Sequence, residues 1–205
     1  MAVVNGYCTE LELRGHLEDG GANLPTVLLE RAINAASRAI DGYCRRKFWL
    51  DAAETVHSYK VGSTTRVNVD DIGSLSGLIV KTDPGLDGTW SETWAATDYQ
   101  LGPLNADVAA GTPFAFWVIE AIGDLEFTTH ERRSTLQVTA KHGWSAVPDD
   151  VAQACILKAA ALFKRKDAPF GVAGFGEFGA VRIGKEDPQV IELLQEYRRY
   201  KALVA

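Results

Sequence analysis

Trp144-Ser-Ala-Val-Pro148-Asp-Asp-Val151 opens an alanine-rich run that ends at Lys166. Phe170-Gly-Val-Ala-Gly174-Phe-Gly176-Glu-Phe178-Gly-Ala-Val181-Arg182-Ile183 follows, and Asp187-Pro188 leads into a last run to Tyr200. Pro148 suits the first position of a helix, where its missing N–H costs nothing. Asp149 and Asp150 complement the positive end of that helix's dipole, and Lys164, Arg165 and Lys166 the negative end. Val151, Cys155, Ile156, Ala159, Leu162 and Phe163 recur at helical spacing, and Ala168-Pro169 stops the ladder. The glycines after it (Gly171, Gly174, Gly176, Gly179) allow backbone angles closed to other residues. The phenylalanines between them are too apolar for a solvated linker. Such an arm either folds back on its own helices or lies along another subunit. Asp187 and Pro188 then read as cap and first residue of a short amphipathic helix striped by Val190, Ile191, Leu194 and Tyr197. Alone it is marginal in water, so it must dock.

The N-terminal block is also helical. Met1–Tyr7 reads as a loose lead-in. Thr9-x-x-Glu12 is a capping box opening a short helix to about His16, and Asp19–Asn23 is a loop. Pro25 opens the longest helix, to about Arg46, with Leu29, Ile33, Ala36, Ile40, Tyr43 and Cys44 as its apolar stripe. Arg45-Arg46-Lys47 falls at its C-terminus, where the dipole favours cations.

From Thr55 the period changes. Thr55–Val61, Arg66–Val69, Leu78–Thr82, Thr89–Trp94, Tyr99–Leu101 and Phe114–Ile119 are short, β-branched or aromatic, and separated by turn residues. Leu136, Val138 and Ala140 alternate with polar neighbours, as in a strand with one buried face. Asp70-Asp71 reads as a solvated turn, and Asn105–Pro113 and Gly123–Arg133 as mobile loops. The expected architecture is α+β: a helical bundle, built from the long N-terminal helix and the C-terminal helices, with a β-rich insertion between them. In residue terms this is a single domain over 1–205, with a helical block at 9–48, the insertion at 54–142, a core helix at 147–167 and the arm with its terminal helix at 168–205.

At 205 residues, 46% hydrophobic and 23% charged, the composition is that of a globular protein. No apolar run has membrane-spanning length, and the N-terminus lacks the basic flank and apolar core of a secretion signal. Cys8, Cys44 and Cys155 follow no metal-ligand spacing, and a sparse, odd count suits buried free thiols in a reducing compartment. The net charge of −6 argues against a surface that grips nucleic acid. It fits a conduit through which DNA slides, and equally a soluble bystander.

Catalytic signatures are weak throughout. Gly171-Val-Ala-Gly174-Phe-Gly176 lacks the preceding strand and following helix that a phosphate-cradling loop requires. His16, His57, His130 and His142 are scattered without a paired spacing, Asp149-Asp150 is explained by its helix start, and no Gly-x-Ser-x-Gly elbow occurs. The expectation is no enzyme, no metal and no cofactor.

Several of these motifs coincide in one family. Gly143-Trp144, Val147-Pro148-Asp-Asp-Val151 with its alanine-rich helix, Lys164-Arg-Lys-Asp-Ala-Pro169, the glycine–phenylalanine arm and Val181-Arg182-Ile183 resemble the head–tail connector (adaptor) proteins of long-tailed bacteriophages. Leu28–Ser37 and Ile40–Phe48 resemble that family's long helix. The resemblance covers Thr9–Phe48 and Leu136–Tyr200, and its motifs are packing and turn residues. It implies a virion protein assembled in the host cytoplasm. Twelve copies would form a ring beneath the portal and above the stopper or tail-completion protein, extending the channel for genomic DNA. By that implication Phe170, Phe175, Phe178, Val181, Arg182, Ile183, Tyr197, Arg198 and Tyr200 contact the portal, and Arg45, Arg46, Trp49, Trp144, Lys164 and Arg165 contact neighbouring subunits. The alternatives are a stopper or tail-completion protein of the same neck, or a small bacterial ligand-binding domain or enzyme.

Overall fold

The computed structural model describes residues 2–17, 24–108, 111–165 and 187–199, with the strand backbones of 172–173 and 181–182. It divides into two compact units: Met1–Arg46 with Val147–Ala205, and Lys47–Ala146.

The first unit is helical, with α1 (Glu10–His16), α2 (Thr26–Cys44), α3 (Asp149–Lys164) and α4 (Pro188–Leu194), the last running into a 3-10 turn at Gln195–Tyr197. The capping box opens α1: the Glu12 N–H donates to Thr9 Oγ1 at 3.2 Å, and the Thr9 N–H donates to Glu12 Oε2 at 2.7 Å. Pro25 and Pro148 each sit one residue earlier than expected, as extended N-caps. Asp187 caps α4 through a 2.9 Å bond from Gln189 N–H, with Pro188 in the first turn. Leu29, Ile33, Ala36, Ile40 and Cys44 of α2 pack on α3, whose Val151, Cys155, Ala159 and Phe163 are buried in turn. Each large apolar side chain so buried contributes about 1.5–3 kcal/mol. Arg45 ends α2 in the left-handed region (φ 56°), its N–H bonded to Asp41 O at 2.7 Å.

The lead-in is not loose. Residues 2–8 lie along a polar stripe of α2 made by Asn34, Ser37, Arg38 and Asp41, spaced to share one helix face. Asn34 Oδ1 accepts from Val4 N–H (2.9 Å), Ser37 Oγ accepts from Tyr7 N–H (3.1 Å), Arg38 donates to Asn5 O (2.9 Å), and Asp41 accepts from the Tyr7 hydroxyl. Tyr7 and Cys8 are buried as a result.

The second unit is an antiparallel sheet of six strands: β1 (Thr55–Tyr59), β2 (Arg66–Thr82), β3 (Glu92–Trp94), β4 (Tyr99–Gly102), β5 (Phe116–Ala121) and β6 (Leu136–His142). The order is β1-β6-β2-β5-β4, with β3 paired to the far end of β2. Two expected segments, Arg66–Val69 and Leu78–Thr82, are one seventeen-residue strand. Irregular pairing between Asn68 and Ile72, and between Ser74 and Ile79, lets that strand bend and change partner. Asp70 and Asp71 are therefore strand residues, not a turn. Along β6, Leu136, Val138, Ala140 and His142 all point inward. The first three join a core with Val67, Ile72, Val80, Trp94, Phe116 and Ile119. Phe127 also enters it, stacked on Trp94 with centroids 4.5 Å apart, and its N–H donates to Thr64 O at 2.7 Å. The Gly123–Arg133 stretch is thus anchored at Phe127.

The expectation of a helical bundle carrying a β insertion is corrected. The fold is mainly β with few helices, and α+β only in part. Short strands carry a weaker periodic signal than helices, so the sheet read as an interruption. It has its own core of thirteen buried residues and stands as a unit in itself.

Gly143 shows why the Gly-Trp pair sits where it does. Its φ is 116°, and a Cβ there would lie 1.8 Å from Trp49 O. Its N–H donates to Asp71 O at 2.7 Å, while His142 O accepts from Asp51 N–H at 2.9 Å. The segment around Trp49 thus lies against the end of β6, and only glycine fits between. Trp144 is buried beside Phe48, ring centroids 5.5 Å apart.

Candidate functional site

Two places gather chemistry or open surface, one in each unit. In the helical unit α2, α3 and α4 leave a groove of about 630 Å³. Its floor is aliphatic, with Ile40, Leu157, Leu162, Val190 and Ile191, and Lys158, Arg165 and Asp187 are its charged lining residues. The chain leaves α3 at Arg165 and is described again as a helix start at Asp187, and both residues line the groove. Tyr197 Oη lies 3.4 Å from Asp150 Oδ2 at the other end of α3, so α4 runs antiparallel to α3. Burial, then the neighbouring Asp150 carboxylate, pushes the Tyr197 hydroxyl up to about 12. Arg198 places its guanidinium 5.2 Å from the Tyr43 ring centroid, and Arg199 N–H donates to Cys44 O at 2.9 Å, closing the C-terminal turn onto α2. Apolar area with charge at its edge suits holding a segment of protein. No nucleophile–base pair is found among the described lining residues.

In the sheet unit, His57 Nδ1 and Tyr59 Oη both bond Asp70 Oδ2, at 2.7 and 3.0 Å. Burial raises the Asp70 carboxyl, but bonds from His57 and Tyr59 outweigh it and hold the group below its ordinary value. The His57 ring stacks on His142, centroids 3.9 Å apart and planes 11° apart. His142 is fully buried and neither ring nitrogen has a hydrogen-bond partner among the described residues. Burial, then the neighbouring His57, depresses its basicity, so it is held neutral. The spacing of histidines along the chain gave no hint of this cluster. The alternation of β6 did, because His142 is the next inward position after Ala140. Among the described residues no group of three or more His, Cys, Asp or Glu side chains could hold a metal ion, and no helix is long and apolar enough to cross a membrane.

The residues expected at a portal or subunit contact divide as follows. Phe170, Phe175, Phe178, Ile183 and Tyr200 lie outside the described residues. Val181 and Arg182 form a two-residue strand, β8, antiparallel to β7 (Val172–Ala173). Tyr197 and Arg198 fold back on α3 and α2, as above. Lys164 and Arg165 are exposed at the end of α3, and Arg45 is exposed at the end of α2. Arg46 is half-buried. Trp49 is half-buried with the Lys47 ammonium 5.6 Å from its ring centroid, and Trp144 is a core residue of the sheet unit. Arg165 and Tyr43 both line the groove, and Arg198 stands over the Tyr43 ring; the groove itself has no signature in the sequence, because it needs the packing of three helices.

No protein-family model and no curated protein matches the chain. Solved structures do. The chain is similar to a protein in the neck of an empty gene transfer agent particle computed with C6 symmetry, at 22% identity and TM-score 0.55, covering 100% of this chain and 96% of that one. It is similar to a protein in the neck of the native particle computed with C12 symmetry, at 20% identity and TM-score 0.53, with the same coverage. It also matches a chain of the native gene transfer agent virion at 22% identity and TM-score 0.53. What this likeness establishes, over the whole length of the chain, is a shared fold with proteins found in particle necks.

Proposed function

We propose that the chain is a structural neck protein of a phage-like particle, an adaptor whose copies form a ring between the portal and the tail or its stopper. The observation that carries this reading is end-to-end likeness to proteins in necks of C12 and C6 symmetry, covering 100% of this chain and 96% of theirs. The adaptor-like motifs in the sequence support it independently. A ring of twelve is a closing, head-to-tail arrangement in which every subunit presents two different faces. The net charge of −6 suits a channel through which DNA passes without being held. The work done is binding, not catalysis, with no cofactor. The arm and α4 carry the portal contact, and the exposed cations Arg45, Lys164 and Arg165 lie at subunit contacts.

The test is mass and shape in solution, with and without the purified portal of the same particle. A ring-sized complex formed only with portal, and lost when the chain is cut back to Pro169, supports the adaptor role and the arm contact. Assembly on the tail side alone moves the chain to the stopper position. A monomer that ignores portal and tail proteins alike overturns the neck reading.

A further inference from the structure

Cys8 and Cys155 stand 147 residues apart in the chain and meet inside the helical unit, Sγ to Sγ 3.4 Å. Ser37 Oγ lies 3.5 Å from Cys155 Sγ, accepts from Tyr7 N–H at 3.1 Å and donates to Ile33 O at 2.9 Å. The contact is thus fixed from three sides: by the N-terminal segment, α2 and α3. Both thiols are free and buried, Cys8 6% exposed and Cys155 0%. Closing the pair to a covalent bond brings the sulfurs from 3.4 Å to about 2.0 Å. Cys44, the third thiol, is buried at the end of α2, and burial pushes it up to about 12. That makes it a poor nucleophile and an internal control.

We propose that Cys8 and Cys155 form a redox-active pair that peroxide closes to an intramolecular disulfide, tying the N-terminal segment to α3. Cys155 is the attacking sulfur. It accepts the hydrogen bond from Cys8, which favours its thiolate and disfavours that of Cys8. The Cys155 thiolate attacks one peroxide oxygen, the O–O bond breaks, and hydroxide leaves, giving a sulfenic acid. The Cys8 sulfur then attacks the Cys155 sulfur. The S–S bond forms, the S–O bond breaks, and the second hydroxide departs. The two thiol protons end on the two hydroxides, so two thiols and one peroxide give one disulfide and two waters. A small oxidant suits so enclosed a pair, reached when the seven-residue segment before α1 opens locally. The inference does not need the neck reading. On that reading the bond would form after a particle built in a reducing cytoplasm meets an oxidising exterior.

The experiment uses the reduced full chain treated with hydrogen peroxide, then alkylated in denaturant. The expected product is a monomer lighter by two hydrogens, with titratable thiols falling from the three cysteines of the sequence to Cys44 alone. A non-reducing digest joins the Cys8 and Cys155 peptides, dithiothreitol restores all thiols, and the oxidised form unfolds at higher denaturant than the reduced one. Cys44→Ala closes the same bond, and Cys8→Ala leaves Cys155 as a sulfenic acid trapped by dimedone. Unchanged thiols, a sulfinic or sulfonic acid on Cys155 without a cross-link, or a bond that uses Cys44 each overturns the proposal. The wild-type digest decides the matter even where a variant folds poorly.

Discussion

Replacing Gly143 by alanine tests how the sheet unit is held together. The new Cβ would lie 1.8 Å from Trp49 O and 2.8 Å from Trp49 C, whereas a carbon and a carbonyl oxygen normally stay about 3.3 Å apart or more. The end of β6 or the Trp49 segment must therefore retreat by about 1.5 Å. Two backbone hydrogen bonds bracket the wedge, Gly143 N–H to Asp71 O and Asp51 N–H to His142 O. Losing both costs about 1–3 kcal/mol at 0.5–1.5 each. Holding alanine at φ 116° adds about 1–3 kcal/mol of strain. The sum, about 2–6 kcal/mol, rivals the whole stability of a small domain. All five tryptophans (Trp49, Trp90, Trp94, Trp117, Trp144) fall within Lys47–Ala146, so their fluorescence reports the sheet unit alone. With a urea dependence of about 2 kcal/mol per molar, the fluorescence midpoint should fall by roughly 1–3 M. Gly62→Ala is the control in the same unit: nothing lies within 4 Å of its Cβ position, so its midpoint should hold or rise slightly. A Gly143→Ala midpoint within about 0.3 M of wild type would refute the wedge.

The pH dependence of the same transition has a sign. His142 is depressed in the folded chain, so below the ordinary histidine value of 6.5 the unfolded state takes up a proton that the folded state refuses. Stability is full above 6.5 and declines as pH falls, with a slope approaching about 1.4 kcal/mol per pH unit. His142→Phe should flatten that slope, and an unchanged profile would show that this ring is not the titrating group. Phe127→Ala should cost the sheet unit about 3–5 kcal/mol by opening a cavity beside Trp94, read by tryptophan fluorescence. A loss below about 1 kcal/mol would mean that Phe127 does not anchor the Gly123–Arg133 stretch. Thr9→Ala removes the capping box of α1 and should cost about 0.5–2 kcal/mol, seen as faster amide exchange in α1 with the tryptophan signal unchanged.

Helix starts were the most legible features, because each depends on residues within one turn. Thr9 with Glu12, and Asp187 with Pro188, specify their caps whatever the rest of the chain does. The strands were found as segments but not as a body. That Arg66–Val69 and Leu78–Thr82 belong to one strand depends on bulges and on a change of partner from β5 to β3, which no local pattern encodes. Asp70-Asp71 looked like a turn for the same reason. Its solvent-facing member is bonded to two side chains of β1, and its inward member supplies the carbonyl that fixes Gly143. The N-terminal segment was misread because its partners form the polar stripe of α2, while periodicity scores only the apolar one. Of the candidate contact residues, Trp144 is buried beside Phe48, a packing that its place in the sequence does not announce.

The polar chemistry in both units bears on what kind of function the chain can carry. Asp70 is bonded to His57 and Tyr59, Asp41 to Tyr7 and Arg38, Glu10 to Arg14 and Thr26, and Asp83 to the backbone of its own turn. A carboxylate already bonded to neighbouring side chains or backbone N–H groups is ill placed to exchange protons with a substrate, because each bond must be given up before the group can act. His142 lies buried in the sheet core, where a substrate cannot reach its nitrogens. What stays open in the helical unit is an aliphatic groove with Arg165 and Asp187 among its lining residues, which flank in sequence a segment rich in glycine and phenylalanine. On the reading proposed above, open apolar area beside bonded polar groups favours binding over reaction, and the residues to test first are those near Arg165 and Asp187 that line the groove.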